Sequence, residues 1–267
     1  STIDGCTFKN NYAESEGAIL VMGSNNVISN SQFINNQAGR YGAAIYSWAG
    51  ADNIKVDNCQ FRGNTANSIG GAILFVGKNC QISNSLFENN KASSLLSFGG
   101  AICLENSGDH TSITNCTFKK NSASIRGGAI YWMGEESKKA IIADSTFERN
   151  SANYGGAITI VENLGLIANS TFEYNSANYG GAIDNLGNIS LIADSTFRYN
   201  KANSVSLTED SQEYAKVFTF KGEEDYINAI KNYGSVNFQN VTYWDGSFVT
   251  SDSPINSNKE AGINITI

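Results

Sequence analysis

Apolar residues recur along this chain in short pieces at a long interval. Eight phenylalanines, at positions 8, 33, 61, 87, 118, 147, 172 and 197, are spaced by 25 to 31 residues, and self-similarity at such a period marks a repeat architecture. Five residues before each Phe stands an Ile or Val, from Ile3 to Ile192. Three after it stands an Asn, from Asn11 to Asn200, and five after it an Ala, from Ala13 to Ala202. A Gly-Gly-Ala-Ile motif follows at 70-73, 99-102, 127-130, 155-158 and 180-183, with degenerate copies at 16-19 and 42-45. A ninth unit survives near the end, where Asn228-Ala229-Ile230 replaces the glycine motif and Tyr243 takes the Phe position.

Each unit reads as three apolar pieces of a few residues between Gly or Asn corners, too short for helices and suited to strands. Such a strand cannot bury its face alone. Stacking one unit on the next at about 4.8 Å pairs the strands in parallel and aligns like residues into ladders. The pattern therefore predicts an all-β chain, a parallel β-helix of about nine coils. Its corners are expected at the Asn columns, because Asn tolerates left-handed backbone and can bond to an identical Asn one coil away. One column lies three after Phe, the other three before it, where Asn30, Asn58 and Asn84 are joined by Asp144 and Asp194. In the column immediately after Phe, Glu88 lies between Arg62 and Lys119, and this column is expected on a solvated face where opposite charges favour the register.

The strand that begins at each Ile of the glycine motif carries the candidate chemistry. Alternation sends outward Tyr46, Cys103 and Tyr131, and two residues further on Trp48, Glu105 and Met133. This mostly apolar face is either covered by another segment or is a contact surface for a partner or glycan. If the alternation is out of phase, Trp132 points outward in place of Tyr131 and Met133. Longer loops follow in the second, fourth and fifth coils, carrying Asp52, Glu105 to His110 and Glu135 to Lys139, and insertions on one side of a solenoid commonly form its binding edge. The candidate ligand-binding residues are thus Tyr46, Trp48, Glu105, His110, Tyr131, Trp132 and Met133.

Composition narrows the function classes. The 267 residues are 41% apolar, too many for a disordered chain, and contain no run of about 18 apolar residues to span a bilayer. A net charge of -7 without a Lys/Arg cluster argues against nucleic acid. His110 is the only histidine, which excludes a two-His metal site, so no metal or cofactor is expected. Of five cysteines, Cys6, Cys59 and Cys116 share a column in alternate coils, about 9.6 Å apart and beyond disulfide reach. They are expected to be free thiols, which on an extracellular rod would suit an oxygen-poor habitat. Asp144 and Asp194, two coils apart, sit near the upper end of the roughly 6.5–9.5 Å separation of an inverting glycosidase; the alternative, favoured here, is that both are turn residues. Sequons at Asn115, Asn169, Asn188, Asn240 and Asn264 permit glycosylation, with Asn115 and Asn169 expected to be inaccessible in the corner ladder.

The repeat occupies about residues 1-248, with an insertion at about 204-227 that includes an alternating Val217-Phe218-Thr219-Phe220 piece. Residues 249-267 read as a linker and the first strand of a following domain. With no polar capping repeat at either end, the chain is expected to be part of a longer protein.

The paired Gly-Gly-Ala-Ile and Phe-x-x-Asn motifs, the Asn-Ser-Ala-Asn-Tyr-Gly-Gly-Ala-Ile runs at 150-158 and 175-183, and the closing Tyr243-Trp244-Asp245-Gly246 resemble known repeats. They are similar to those of chlamydial polymorphic membrane proteins, and still more to adhesin-like surface proteins of methanogenic archaea. The resemblance covers about residues 1-248. It implies a right-handed β-helix, secretion, attachment to the cell envelope through other domains, and adhesion to a host or neighbouring cell through a glycan or protein. It carries over no catalytic residue, and direct membrane insertion is not expected of this segment. The expected role is a binding or display module rather than an enzyme; the alternatives are a polysaccharide lyase or hydrolase using Asp144 and Asp194, and a passive stalk.

Overall fold

In the computed structural model the described residues are 1-106, 108-134 and 137-202, together with the backbone of six strands between 216 and 257. Within this span the chain is a right-handed parallel β-helix of about eight turns. One coil illustrates all. An Ile strand, Ser112–Thr114, ends at a left-handed residue, Asn115 with φ 51°; the Phe strand Thr117–Lys119 follows and ends at Lys120 with φ 55°. The two-residue piece Ser122–Ala123 leads through Gly127, φ 65°, into the glycine-motif strand Ile130–Trp132.

Like pairs with like in every coil. Phe61 faces Phe33 below and Phe87 above, Ile113 faces Ile82 and Ile142, and Ile130 faces Ile102 and Ile158. The strands form ladders of ten, nine and ten members, with a shorter ladder along the Ala pieces. The eight Phe rings stack at 4.6–5.0 Å between centroids and within 8° of parallel. Seven of them, from Phe33 to Phe197, are wholly buried with the Ile and Ala columns in one continuous core, each contributing about 1.5–3 kcal/mol by burial.

The Asn column three after Phe is not itself a left-handed corner, as the sequence led us to expect. The left-handed residue is the one before it, and the Asn turns inward. Asn121 donates its side-chain amide to Asn150 Oδ1 at 3.0 Å and to the Phe87 carbonyl at 2.9 Å, while its own Oδ1 accepts the Asn90 backbone and side-chain amides at 2.9 and 3.0 Å. The same pattern recurs from Asn36 to Asn175. The column three before Phe is left-handed as expected, with φ of 47–52° from Asn30 to Asp194. Asp144 and Asp194 occupy it as exposed turn residues, and so do Asn115 and Asn169, which are exposed and not inaccessible as expected. Beside it a Ser/Cys column is bonded coil to coil: the backbone N–H of Cys116 donates to Ser145 Oγ at 3.1 Å. The second glycine of the motif is required by close approach, since a Cβ on Gly128 would collide with the Gly156 carbonyl.

The five cysteines are free thiols, four of them buried. Burial pushes Cys59 up to about 11 and Cys80 and Cys116 up to about 12, and raises Cys103 well above the ordinary thiol value. Because the thiolate is the reactive form, burial alone protects these four, and an oxygen-poor habitat is not needed to explain them.

Beyond residue 202 the backbone strands continue the stack. Tyr243 pairs with Phe197 and Ile230 with Ile183, which places the ninth unit in register. Ser247–Ser251 pairs in parallel with Ile227–Asn232, and Ile255–Ser257 with Ser235–Gln239. Lys216–Val217 lies antiparallel to 250-251. Most of the 204-227 insertion, including Phe218 and Phe220, and residues 258-267 lie outside the described residues.

Two outcomes follow from the ladders. Asn121→Ala should lower stability by about 2–5 kcal/mol, because each buried group left unbonded costs about 1–3 kcal/mol; a thermal melt followed by circular dichroism measures it, and a shift below half a kcal/mol would contradict the ladder's role. In the folded protein a thiol reagent should modify Cys6 alone, with all five reacting only after denaturation.

Candidate functional site

The outer face of the glycine-motif sheet separates the candidate residues into two layers. Alternation runs in the first phase considered: Ile130 and Trp132 point inward, and Trp132 is wholly buried, its indole N–H donating to Ser137 Oγ at 3.2 Å. Trp132 is therefore a core residue and not part of a contact surface. Tyr46 and Tyr131 point outward but are covered, which resolves the open alternative toward cover for this column. The covering residue is the one directly before the first glycine of each motif: Tyr41, Ile69, Phe98, Arg126, Tyr154 and Tyr179, bridged coil to coil. The left-handed first glycine folds this residue back over the strand. Tyr41 lies 5.8 Å from the Tyr46 ring, leaving Tyr46 9% exposed, and Phe98 lies 5.0 Å from Tyr131. Tyr46, Leu74 and Cys103 form the buried part of this satellite cluster.

The second outward column stays at the surface. Trp48, Val76, Glu105, Met133 and Val161 follow one another up successive coils, each backbone N–H bonded to the coil below. Trp48 is 49% exposed and meets Tyr46 edge-on at 6.0 Å; the other four are half-buried. Glu105 thus sits between Val76 and Met133 in an apolar column, and burial raises its carboxyl above the ordinary 4.5. Burial, followed by the charge of Glu105, also raises the Tyr46 phenol. The Tyr131 phenol is raised chiefly by burial.

His110 is not brought to this face. It is exposed on the next corner, where its backbone N–H donates to Asn79 Oδ1 at 3.3 Å and neighbouring Asp109 accepts from the Lys139 backbone at 3.1 Å. Glu135 and Glu136 of the fifth-coil loop lie outside the described residues. Further up the covering column, Arg126 lies 4.4 Å over the Tyr154 ring and reaches Asp184, which is wholly buried. Among the described residues no group of three or more His, Cys, Asp or Glu is placed to hold a metal ion.

The sequence reading missed two features. The covering column had a visible signal, a large residue before every Gly-Gly. A second set, Lys120, Arg149, Tyr174 and Tyr199, stands two after Phe with φ of 54–55°, and its signal is a departure from the Asn or Gly that holds this position in the first four coils.

Comparison with known proteins agrees with this architecture. Residues 1-103 match the right handed beta helix region family, and residues 115-131 and 169-185 match the Chlamydia polymorphic membrane protein repeat. The chain is 36% identical over 115 residues to Probable autotransporter YfaL of Escherichia coli K12, covering 37% of this chain and 9% of that protein. It is 34% identical over 161 residues to Metabotropic glutamate receptor-like protein R of Dictyostelium discoideum, covering 58% of this chain and 9% of that protein. The chain thus spans less than a tenth of the length of either curated relative. No solved structure matches the chain significantly. The chlamydial side of the resemblance is matched; nothing in these comparisons points to methanogenic archaea.

The raised Glu105 carboxyl carries a pH signature. Folding favours its protonated form, so stability is highest below the ordinary value and falls as pH rises from 4.5 toward the raised folded value. Glu105→Gln should remove that falling limb and raise the melting temperature at neutral pH, measured by melts across pH 4–7; an unchanged pH profile would contradict the burial argument.

Proposed function

We propose that this chain is a passenger-like β-helix displayed at a cell surface, where it mediates adhesion through the exposed column Trp48, Val76, Glu105, Met133 and Val161. The observation that carries this reading is the column itself. Five coils in succession keep a largely apolar strip at the surface, about 19 Å long by strand spacing. Contiguous apolar surface of this kind marks interaction sites, and a partly exposed Trp beside Tyr suits both sugar rings and protein side chains.

The surface location rests on the match to polymorphic membrane protein repeats and on the relative named a probable autotransporter. Since either relative extends far beyond the matched segment, anchoring falls to other parts of a longer protein in this reading. The partner is a glycan or protein on a host or neighbouring cell, bound without chemical turnover and without a cofactor. Asp144 and Asp194 support binding over hydrolysis, because both hold left-handed corner positions that Asn fills in other coils.

A glycan array and a cell-adhesion assay with Trp48→Ala test the proposal. The variant should lose binding by about tenfold or more while losing only about 0.5–1.5 kcal/mol of stability, the value of one aromatic edge contact. Retention of the variant by cells and glycans at wild-type strength would move the contact elsewhere.

A further inference from the structure

Among the described residues, the position two after the core Phe is left-handed in all eight coils that carry one, with φ from 53° to 65°. In the first four coils it is Asn10, Asn35, Gly63 and Asn89, the residue types that this backbone accepts most readily. In the next four it is Lys120, Arg149, Tyr174 and Tyr199. For a bulky side chain such a conformation is an outlier, and strained backbone that persists without a fold requirement clusters at functional sites. The fold does not require these residues, because Asn and Gly build the same corner four times in the same molecule.

The four side chains line one edge of the rod. Tyr174 and Tyr199 stack at 4.9 Å and 13°, and Arg149 caps the stack at 4.9 Å from the Tyr174 ring. Both rings remain exposed, at 45% and 40%. The surroundings are hydroxyl-lined and cationic. Thr146 and Thr171 are half-buried on the adjoining strand, Ser151 and Ser176 on the following piece. Across 117-123, 146-152, 171-177 and 196-202 five Lys and Arg stand against two carboxylates, Glu148 paired with Lys119 at 2.8 Å and with Arg149, and Glu173 with Arg198 at 2.6 Å. A local excess of positive charge on a chain of net charge -7 points to an anionic ligand.

We propose that this ladder is a second binding site, for a linear anionic glycan bearing carboxylate or sulfate groups. Lys120 and Arg149 engage the anionic groups, while the tyrosine and serine hydroxyls, repeating once per coil, bond to sugar hydroxyls along a polymer that also repeats. A single-stranded nucleic acid fits less well, since its bases need open ring faces and here both faces of Tyr174, and the face of Tyr199 turned to it, are taken by the neighbouring ring and by Arg149. The site lies on a different edge from the Trp48 column and stands independently of it.

Affinity electrophoresis with polygalacturonate, dextran sulfate, neutral dextran and oligo-dT tests the proposal on the whole chain and on Tyr174→Asn/Tyr199→Asn. Asn is native to this position, so the variant folds, and relief of strain should leave its melting temperature equal or higher. The wild type should bind one or both anionic polymers, more weakly as salt rises, and not dextran; the double variant should bind about tenfold more weakly or worse. No binding of either anionic glycan, tighter binding of oligo-dT, unchanged binding by the variant, or a lowered melting temperature would each overturn it.

Discussion

The buried asparagine ladder is the constraint on which the rest of the molecule depends. A parallel β-helix closes each turn with corners whose polar backbone would otherwise be sealed against an apolar core. One inward Asn per coil meets that demand by bonding to the Phe carbonyl of the coil below and to the Asn of the coil above. Buried polar groups bonded in a continuous chain define one register, since a slip of a single residue would orphan a set of donors in every coil. The stacked Phe rings and the Ile columns add burial energy to a register that the amide ladder has specified.

That division of labour separates interior from surface. Inward columns are nearly uniform because each coil must present the same shape to the next. Outward columns have no such obligation, and they diverge: the column after Phe is mostly charged, the glycine-motif strand keeps an apolar strip, and the corner after Phe changes from Asn to Lys, Arg and Tyr in the later coils. A solenoid of this kind offers long parallel stripes of surface whose chemistry can differ from edge to edge of one rod.

How much was legible in the sequence follows the same line. The period, the Phe and Ile core columns and the left-handed column at Asn30 to Asp194 were readable because ladders repeat residue types. The inward turn of Asn121 was not, since Asn suits a left-handed corner and a buried amide ladder equally well, and only the backbone shows that Lys120 holds the corner. Trp132 entered the candidate list through the phase ambiguity of a three-residue strand, which its burial settles. The cover over Tyr46 depends on a fold-back at the first glycine that alternation along one strand does not reveal. His110 was placed with the aromatic face by closeness in sequence, whereas five residues past Glu105 the chain has already rounded the next corner.

The central claim is that a rigid, ladder-bonded rod makes its contacts through surface stripes while its interior stays unchanged. Hydroxyl-radical footprinting of the chain, free and adhering to intact cells, tests this most directly, because the outer strip contains the readily oxidised Trp48 and Met133. The account predicts protection of those two side chains on contact, with the buried Trp132 unlabelled in both states. Adhering chain whose Trp48 and Met133 label as in the free state, or whose Trp132 becomes labelled, would contradict it.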